Sequence, residues 1–428
     1  MDNIVVGVIG FGTVGAGVVK ILTHNREMLE KRAGVPVILK KIADLDISSD
    51  RGVSLAPGVL TKNVNEVLED PEITIVVEAI GGENPAKSFI EKALRAGKNV
   101  VTSNKEVIAK HGSFFTSLAR EHNCSLLYEA AVGGGIPVLH AIRNSLAGNK
   151  IERVFGIVNG TTNYILTKMT ASGADFAGTL KEAQELGYAE ADPKNDVVGY
   201  DVAYKLSILA SLAFRCEVDY TSIYREGITA ISAEDIAAAR QFGYTIKMLA
   251  VGINHGDRIE LHVHPVMIEN SHPLATVNDV FNAIYIRGDS LGDAMFYGRG
   301  AGELPTASAV VGDIMNLAFR AQEGFARDSE FRLEKLPVIP MDECSTSFFI
   351  RCTVDDKPGV LADISRIFAN HGISILSIQQ IGAHEDTAAI TVITHPVTEA
   401  QMKAALAETE KLISMRKICS VIRVGLEE

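Results

Sequence analysis

Between Ala183 and Lys205 the chain reads AQELGYAEADPKNDVVGYDVAYK, which places Glu190, Asp192 and Asp196 on a loop feeding a helix that carries Asp201 and Lys205. Residues four apart on a helix share a face, so Asp201 and Lys205 are one turn apart on the same side. Most such pairs are exposed ion pairs contributing roughly 0.3–0.5 kcal/mol. Here Lys205 is followed by LSILASLAF, an almost wholly apolar run that predicts a buried helix. A buried lysine needs a chemical reason. Acidic side chains can bind an ammonium group, and a lysine with its pKa lowered by burial can exchange a proton with a reacting oxygen. The set therefore suits a small substrate bearing an amine and an oxygen that gains or loses a proton.

A second set stands at the N-terminus. Gly10-Phe11-Gly12-Thr13-Val14-Gly15 lies between an apolar strand and a helix. Glycines there permit a tight turn and close backbone approach, so that the helix N-terminus can face a pyrophosphate. Asp44 ends the second strand, where a carboxylate accepts hydrogen bonds from a ribose of NAD. Lys40, Lys41 and Arg51 are the nearest groups that could meet a 2′-phosphate, so the residues leave NAD(H) and NADP(H) both open.

These sites need elements to hold them. Asn3–Ile9, Val35–Ala43, Ile73–Ala79, Asn99–Thr102 and Ser125–Tyr128 read as strands, and Val14–Lys31, Pro85–Ala96 and Glu106–His122 as helices. Such alternation predicts a parallel, doubly wound α/β Rossmann-type dinucleotide-binding domain over residues 1–130, with residues 304–320 returning to it as a helix. Residues 131–303 change to longer helices, Thr179–Leu186 and Val197–Arg215, with strands near Ile151–Val158 and Arg258–Met267, and predict an α+β catalytic and dimerisation domain. Residues 321–346, with Pro337 and Pro340 among mixed charges, read as a linker. Residues 347–428 read as a ferredoxin-like βαββαβ unit, in which Phe348–Val354 is a strand, Asp355–Gly359 a turn, Val360–Asn370 an amphipathic helix and Ile373–Gln379 a strand.

A length of 428 residues predicts two to four domains, and a net charge of −12 argues against nucleic-acid or anionic-membrane partners, which need a basic face. The five cysteines are odd in number and form no CxxC pair, so they suggest neither a disulfide framework nor a zinc site and fit a reducing cytoplasm. The first ten residues lack a basic leader, and no apolar run is long enough for a membrane span. A cytoplasmic protein acting on small molecules is expected.

The run Ala183–Lys205 resembles the signature of homoserine dehydrogenases, including the Asp192-Pro193 pair, Gly199, Asp201 and Lys205. Ser103-Asn104-Lys105, the segment Tyr128–Pro137 and Asn159-Gly160-Thr161-Thr162-Asn163-Tyr164-Ile165-Leu166 resemble further motifs of that family, in the same order. The resemblance implies an acid/base role for Lys205 and a second lysine, Lys105, near substrate and nicotinamide, with Ser103 beside the cofactor. It implies that Glu190, Asp201, Asp196 and Thr161 hold homoserine or aspartate semialdehyde. Glu129, Val132, Gly134 and Ile136 resemble the family's site for a monovalent cation such as sodium, and Gly302 resembles the segment that approaches the cofactor. Many relatives carry a basic residue where Ala43 precedes Asp44, a departure that leaves the cofactor preference open.

Pro358-Gly359-Val360-Leu361 resembles the turn of an ACT domain. That resemblance implies an amino-acid effector, threonine first, near Gly359 and Ile373 at a subunit interface of a homodimer or homotetramer. Two rival readings are a hydroxy-acid dehydrogenase with a C-terminal sensor domain, which would need an arginine-acid-histidine set, and a non-catalytic sensor, which would not need Lys105, Glu190, Asp201 and Lys205.

Overall fold

A computed structural model describes residues 3–322, 333–382 and 386–426. The chain forms two compact units: Met1–Val154 with Tyr204–Thr221 and Asn282–Lys335, and Phe155–Ala203 with Ser222–Phe281 and Leu336–Glu428.

The first unit is built on a parallel sheet in which Ile4–Ile9 lies between Val37–Ala43 and Ile75–Glu78. Leu60–Thr61 extends it beyond Val37–Ala43, and Asn99–Thr102 then Leu126–Leu127 extend it on the other side. Numbered along the chain, the order is 3-2-1-4-5-6, that of a dinucleotide-binding sheet. The inner strands Ile4–Ile9, Ile75–Glu78 and Asn99–Thr102 are short and largely apolar, as strands covered by helices on both faces are. The segment Val14–Lys31, expected as one helix, is two, Thr13–His24 and Arg26–Ala33. Asn25, at φ −99° and ψ 14°, makes the break, in keeping with the poor helix propensity of asparagine. The helix Glu303–Gln322 packs Ala307, Val310, Val311 and Ile314 into the core formed by this sheet and Thr13–His24.

The second unit has a sheet in which the hairpin strands Tyr244–Asn254 and Ile259–Glu269 run antiparallel, and Met415–Val424 pairs in parallel with Ile259–Glu269 through Val266–Arg423 and Met267–Val424. Beyond it come Ser345–Asp355, Thr387–Thr394 and Ile375–Gly382, all antiparallel. The C-terminal strands thus take the order 4-1-3-2, with Val360–Asn370 and Glu399–Thr409 as the two helices of a βαββαβ unit. Alternate residues Phe348, Ile350, Cys352 and Val354 point into its core. Residues 323–332 of the expected linker lie outside the described residues. The part that follows is laid along the sheet: Ile259 N donates to Pro337 O at 3.0 Å and Ile339 N to Ile259 O at 2.8 Å.

Candidate active site

In the first unit the glycine loop has the geometry its residues require. Gly10 has φ +97°, and a Cβ there would lie 2.7 Å from Ala79 O. A Cβ on Gly15 would lie 1.9 Å from Gly10 O, so only glycine allows the helix to start this close to the strand. Nothing lies within 4 Å of a Cβ built on Gly12, so the loop presents an open backbone face at the start of Thr13–His24. Asp44 reaches this loop: Oδ2 accepts from Phe11 N at 2.5 Å and Oδ1 from Asp46 N at 2.8 Å. The carboxylate is therefore held beside the dinucleotide loop, where a ribose hydroxyl could share it. Arg51 pairs with Asp46 at 3.0 Å.

Lys105 opens the helix Lys105–Glu121, and a buried network sets its place. Thr102 Oγ1 donates to Glu78 Oε2 at 2.6 Å and accepts from Asn104 N at 2.9 Å. Asn104 caps the helix by accepting from Val107 N at 3.1 Å, and its amide donates to Gly82 O at 2.7 Å. Burial pushes the Glu78 carboxyl up from its ordinary range, against the opposing hydrogen bond from Thr102. Ser103 is half-buried between this strand and the cap. Gly302, at φ +113°, precedes Glu303–Gln322, and its carbonyl accepts from Thr306 N at 3.1 Å.

Glu129 is buried, and its two carboxylate oxygens accept from Leu139 N at 2.8 Å and His140 N at 2.6 Å. Its own N–H donates to Asp313 Oδ2 at 2.8 Å. Burial raises the pKa of Glu129 and pushes Asp313 up to about 7. Val132 and Ile136 are buried nearby in sequence, and Gly134, at φ +55°, is pressed so close to Gly300 that a Cβ would lie 2.4 Å from Gly300 O. Carboxylate and carbonyl oxygens of this kind suit a hard cation.

In the second unit Asn159 joins two of the expected substrate residues. It caps the helix Gly160–Ser172 through Oδ1, which accepts from Thr162 N at 2.8 Å. Its Nδ2 donates to Asp196 Oδ1 at 2.7 Å and to Asp201 Oδ2 at 2.8 Å. Thr161, the next residue but one, donates through Oγ1 to Tyr188 O at 2.5 Å. Glu190 is not part of this buried cluster; its side chain is exposed, and its carbonyl accepts from Gln184 Nε2 at 3.0 Å. The helix Tyr200–Phe214 buries both Asp201 and Lys205, at 3% and 8% exposure. An acid and a lysine one turn apart are thus both withdrawn from water, as the apolar run after Lys205 predicts.

In the C-terminal unit Gly359, at φ +97°, precedes Val360–Asn370 with open space where a side chain would project. The Ile373 side chain instead belongs to the buried core, and its N–H donates to Phe368 O at 2.9 Å.

The family models described as homoserine dehydrogenase, NAD binding domain, as homoserine dehydrogenase, and as ACT domain match residues 10–129, 137–315 and 348–414. A homoserine dehydrogenase of Synechocystis sp. is 44% identical over 431 residues, spanning 98% of this chain and 99% of its own. That of Bacillus subtilis is 39% identical and spans 99% of each. The chain belongs to the homoserine dehydrogenase family. A solved homoserine dehydrogenase from Thiobacillus denitrificans superposes with a TM-score of 0.93 at 39% identity, covering 99% of this chain and 98% of that one. A hyperthermophilic archaeal homoserine dehydrogenase solved in complex with NADPH has a TM-score of 0.64 at 27% identity, over 76% of this chain and 98% of its own. Membership of the family makes the chain an oxidoreductase of amino-acid biosynthesis with a nicotinamide-binding domain and a C-terminal ACT domain. Among the described residues no helix is long and apolar enough to cross a membrane.

Two residues of the site did not emerge from the sequence as site residues. Asn159 carried a signal, since an asparagine after an apolar strand and before Gly-Thr-Thr is a helix cap. Asp313 carried none, because its partner Glu129 is remote in sequence.

Proposed function

We propose that the chain reversibly converts L-aspartate 4-semialdehyde and NAD(P)H to L-homoserine and NAD(P)+, on the route to threonine, methionine and isoleucine. The observation that carries this reading is the buried helix Tyr200–Phe214, on which Lys205 follows one turn after an Asp201 already oriented by Asn159. Asp201, with Asp196 and Thr161, holds the polar end of the amino acid, and the exposed Glu190 adds a third acid for its ammonium. Lys205 gives a proton to the oxygen of the aldehyde as it is reduced and takes it back in the reverse direction. Burial lowers the cost of that donation by disfavouring the charged ammonium, and Lys105 adds a second positive charge to the reacting region. Bound nicotinamide supplies the hydride chemistry. Gly10 to Gly15, Ser103 and Gly302 are its backbone seat, and Asp44 meets the ribose.

The buried carboxyls of Glu129 and Asp313 support a monovalent cation, sodium first, held by Glu129 and the carbonyls of Val132, Gly134 and Ile136. The ACT domain supports an amino-acid effector, threonine first, at Gly359 in a homodimer or homotetramer in the cytoplasm. The deciding experiment follows NAD(P) reduction spectrophotometrically with L-homoserine as the only reductant, using each cofactor in turn. Absence of homoserine-dependent reduction with both cofactors would overturn the reading.

A further inference from the structure

The strand Ile259–Glu269 points Glu260, His262 and His264 to one face, as residues two apart in a strand must. His264 Nδ1 lies 3.0 Å from Pro265 O, and a carbonyl can only accept, so Nδ1 carries the ring proton. Its Nε2 is the ring nitrogen that turns to the neighbouring imidazole. His262 Nδ1 stands 2.8 Å from that Nε2, and a His262 that binds a metal through Nε2 carries its proton on Nδ1 and donates it there. The other ring nitrogen of His262, Nε2, turns toward the third side chain of the face. It lies 3.7 Å from Glu260 Oε2.

The third member of the group is Cys344, which is buried just before the strand Ser345–Asp355. One ligand atom from each of Glu260, His262 and Cys344 lies within 4.8 Å of the others. The three line a cavity of about 30 Å³, room for a single water or ion. A tetrahedral zinc with bonds of about 2.0–2.3 Å sets its ligands about 3.4–3.6 Å apart, so the group needs to contract by at most about 1.4 Å. The surrounding hydrogen bonds are those that orient metal ligands. His262 passes its other N–H to His264, which passes its own to a carbonyl, and His255 Nε2 lies 2.8 Å from the remaining oxygen of Glu260. Arg423, on the same cavity, is paired with Glu226 and Glu399, each at 2.8 Å, so its charge is already matched by two carboxylates.

We propose that Glu260, His262 and Cys344 form a site for a divalent transition metal of the zinc class, clipping the entrance of the ACT domain to the neighbouring strand. The donor set of one thiolate, one imidazole and one carboxylate is borderline-soft, which favours zinc or cobalt over magnesium or calcium. Binding displaces the Cys344 proton to solvent. The site is separate from Lys105 and Lys205 in role as well as in residues, so its loss leaves the hydride-transfer chemistry in place.

The test titrates the reduced, metal-stripped full-length protein with Co2+ and follows the thiolate-to-cobalt charge-transfer band. One equivalent should produce the band, Zn2+ should displace it, and Zn2+ should raise Tm by several degrees. Cys344→Ser should lose the band and the Tm shift while keeping its circular dichroism and homoserine oxidation, and Cys419→Ser should keep the band. Should Cys344→Ser fail to fold, His262→Gln is read instead, with a fall of at least tenfold in Co2+ affinity expected. Absence of stoichiometric Co2+ binding by the wild-type protein, or undiminished binding in the folded variant, overturns the site.

Discussion

Asn159 Nδ2 spans the carboxylates of Asp196 and Asp201, at 2.7 and 2.8 Å, while Oδ1 of the same side chain starts the helix Gly160–Ser172. One amide therefore sets both the helix and the acids expected to meet substrate. Asn159→Ala removes a cap worth about 1 kcal/mol and two charge-assisted hydrogen bonds worth roughly 1.5–3 kcal/mol each. The expected result is a kcat/KM for homoserine lower by about 10–100-fold, mostly through KM, with KM for the dinucleotide unchanged. A lower Tm with intact kinetic constants would reduce Asn159 to a structural cap.

Lys205 is a different case, because the role proposed for it is proton exchange. Lys205→Ala should lower turnover by about 10²–10⁴ while dinucleotide binding, measured directly by calorimetry, survives. Lys205→Arg keeps the positive charge but holds its proton too tightly to exchange it near neutral pH, so it should be nearly as impaired. Near-normal turnover in the folded Arg variant would remove Lys205 as the acid/base and leave it a source of charge.

Asp44 both tethers the glycine loop and would repel a 2′-phosphate. Asp44→Asn preserves the size of the side chain and keeps an oxygen able to accept from Phe11 N. It removes the charge. The ratio of kcat/KM for NADP to that for NAD should rise by about tenfold or more, as expected for loss of one charge–charge repulsion near the surface. An unchanged ratio would place Asp44 away from the ribose, with its hydrogen bond to the loop as its whole function.

Much of this was legible in the residues. The strand-loop-helix of Ile4–His24 gives itself away through glycine spacing, and the apolar run after Lys205 announces burial, because both signals are local. The βαββαβ order of the C-terminal unit follows from period-two and amphipathic patterns for the same reason. What was hidden is long-range. Nothing near Cys344 in sequence points to Glu260 and His262, and a search for CxxC pairs passes over a set assembled from a strand and a distant loop. The exposure of Glu190 was hidden too, since the acidity of a loop does not say which carboxylates turn inward. The pairing of Met415–Val424 with Ile259–Glu269 was equally silent, because a strand pattern names its buried face but not its neighbour.

That pairing carries a stability prediction. Arg423 is buried in the last strand and binds Glu226 and Glu399, while Arg351 binds the fully buried Asp235 at 2.7 Å. Arg423→Met keeps the volume but leaves Glu399 without its buried counter-charge; Glu226, partly exposed, can rehydrate. Loss of one partner of a buried pair costs roughly 3–5 kcal/mol, and the rehydration puts this variant toward the lower end. Urea denaturation should show it. The double variant Arg423→Met with Glu399→Leu should recover much of the loss, and a double variant no more stable than the single would show that the charge pairing is not what Arg423 supplies.

The same ties decide how the effector role of the ACT domain should be tested. Cutting the chain near Glu343 would strip a paired strand and strand Asp235 and Glu226 as carboxylates without their arginines, so lost activity in such a fragment would say nothing about threonine. A point change at Gly359 avoids this. At φ +97° the position is strained for most side chains, but Asp and Asn tolerate a left-handed backbone better than others, and space is open there. On the proposed reading the N-terminus of Val360–Asn370 would attract an amino acid's carboxylate through its N–H groups, and an added aspartate would repel it. Gly359→Asp should therefore raise the threonine concentration for half-inhibition by at least about tenfold, while the neutral Gly359→Asn has a smaller effect and uninhibited turnover is unchanged in both. Inhibition at a distance requires that threonine favour one of two arrangements by differential affinity. Equal threonine sensitivity in wild type and both variants would place the effector elsewhere, and a wild-type enzyme indifferent to threonine would end its claim to be the ligand.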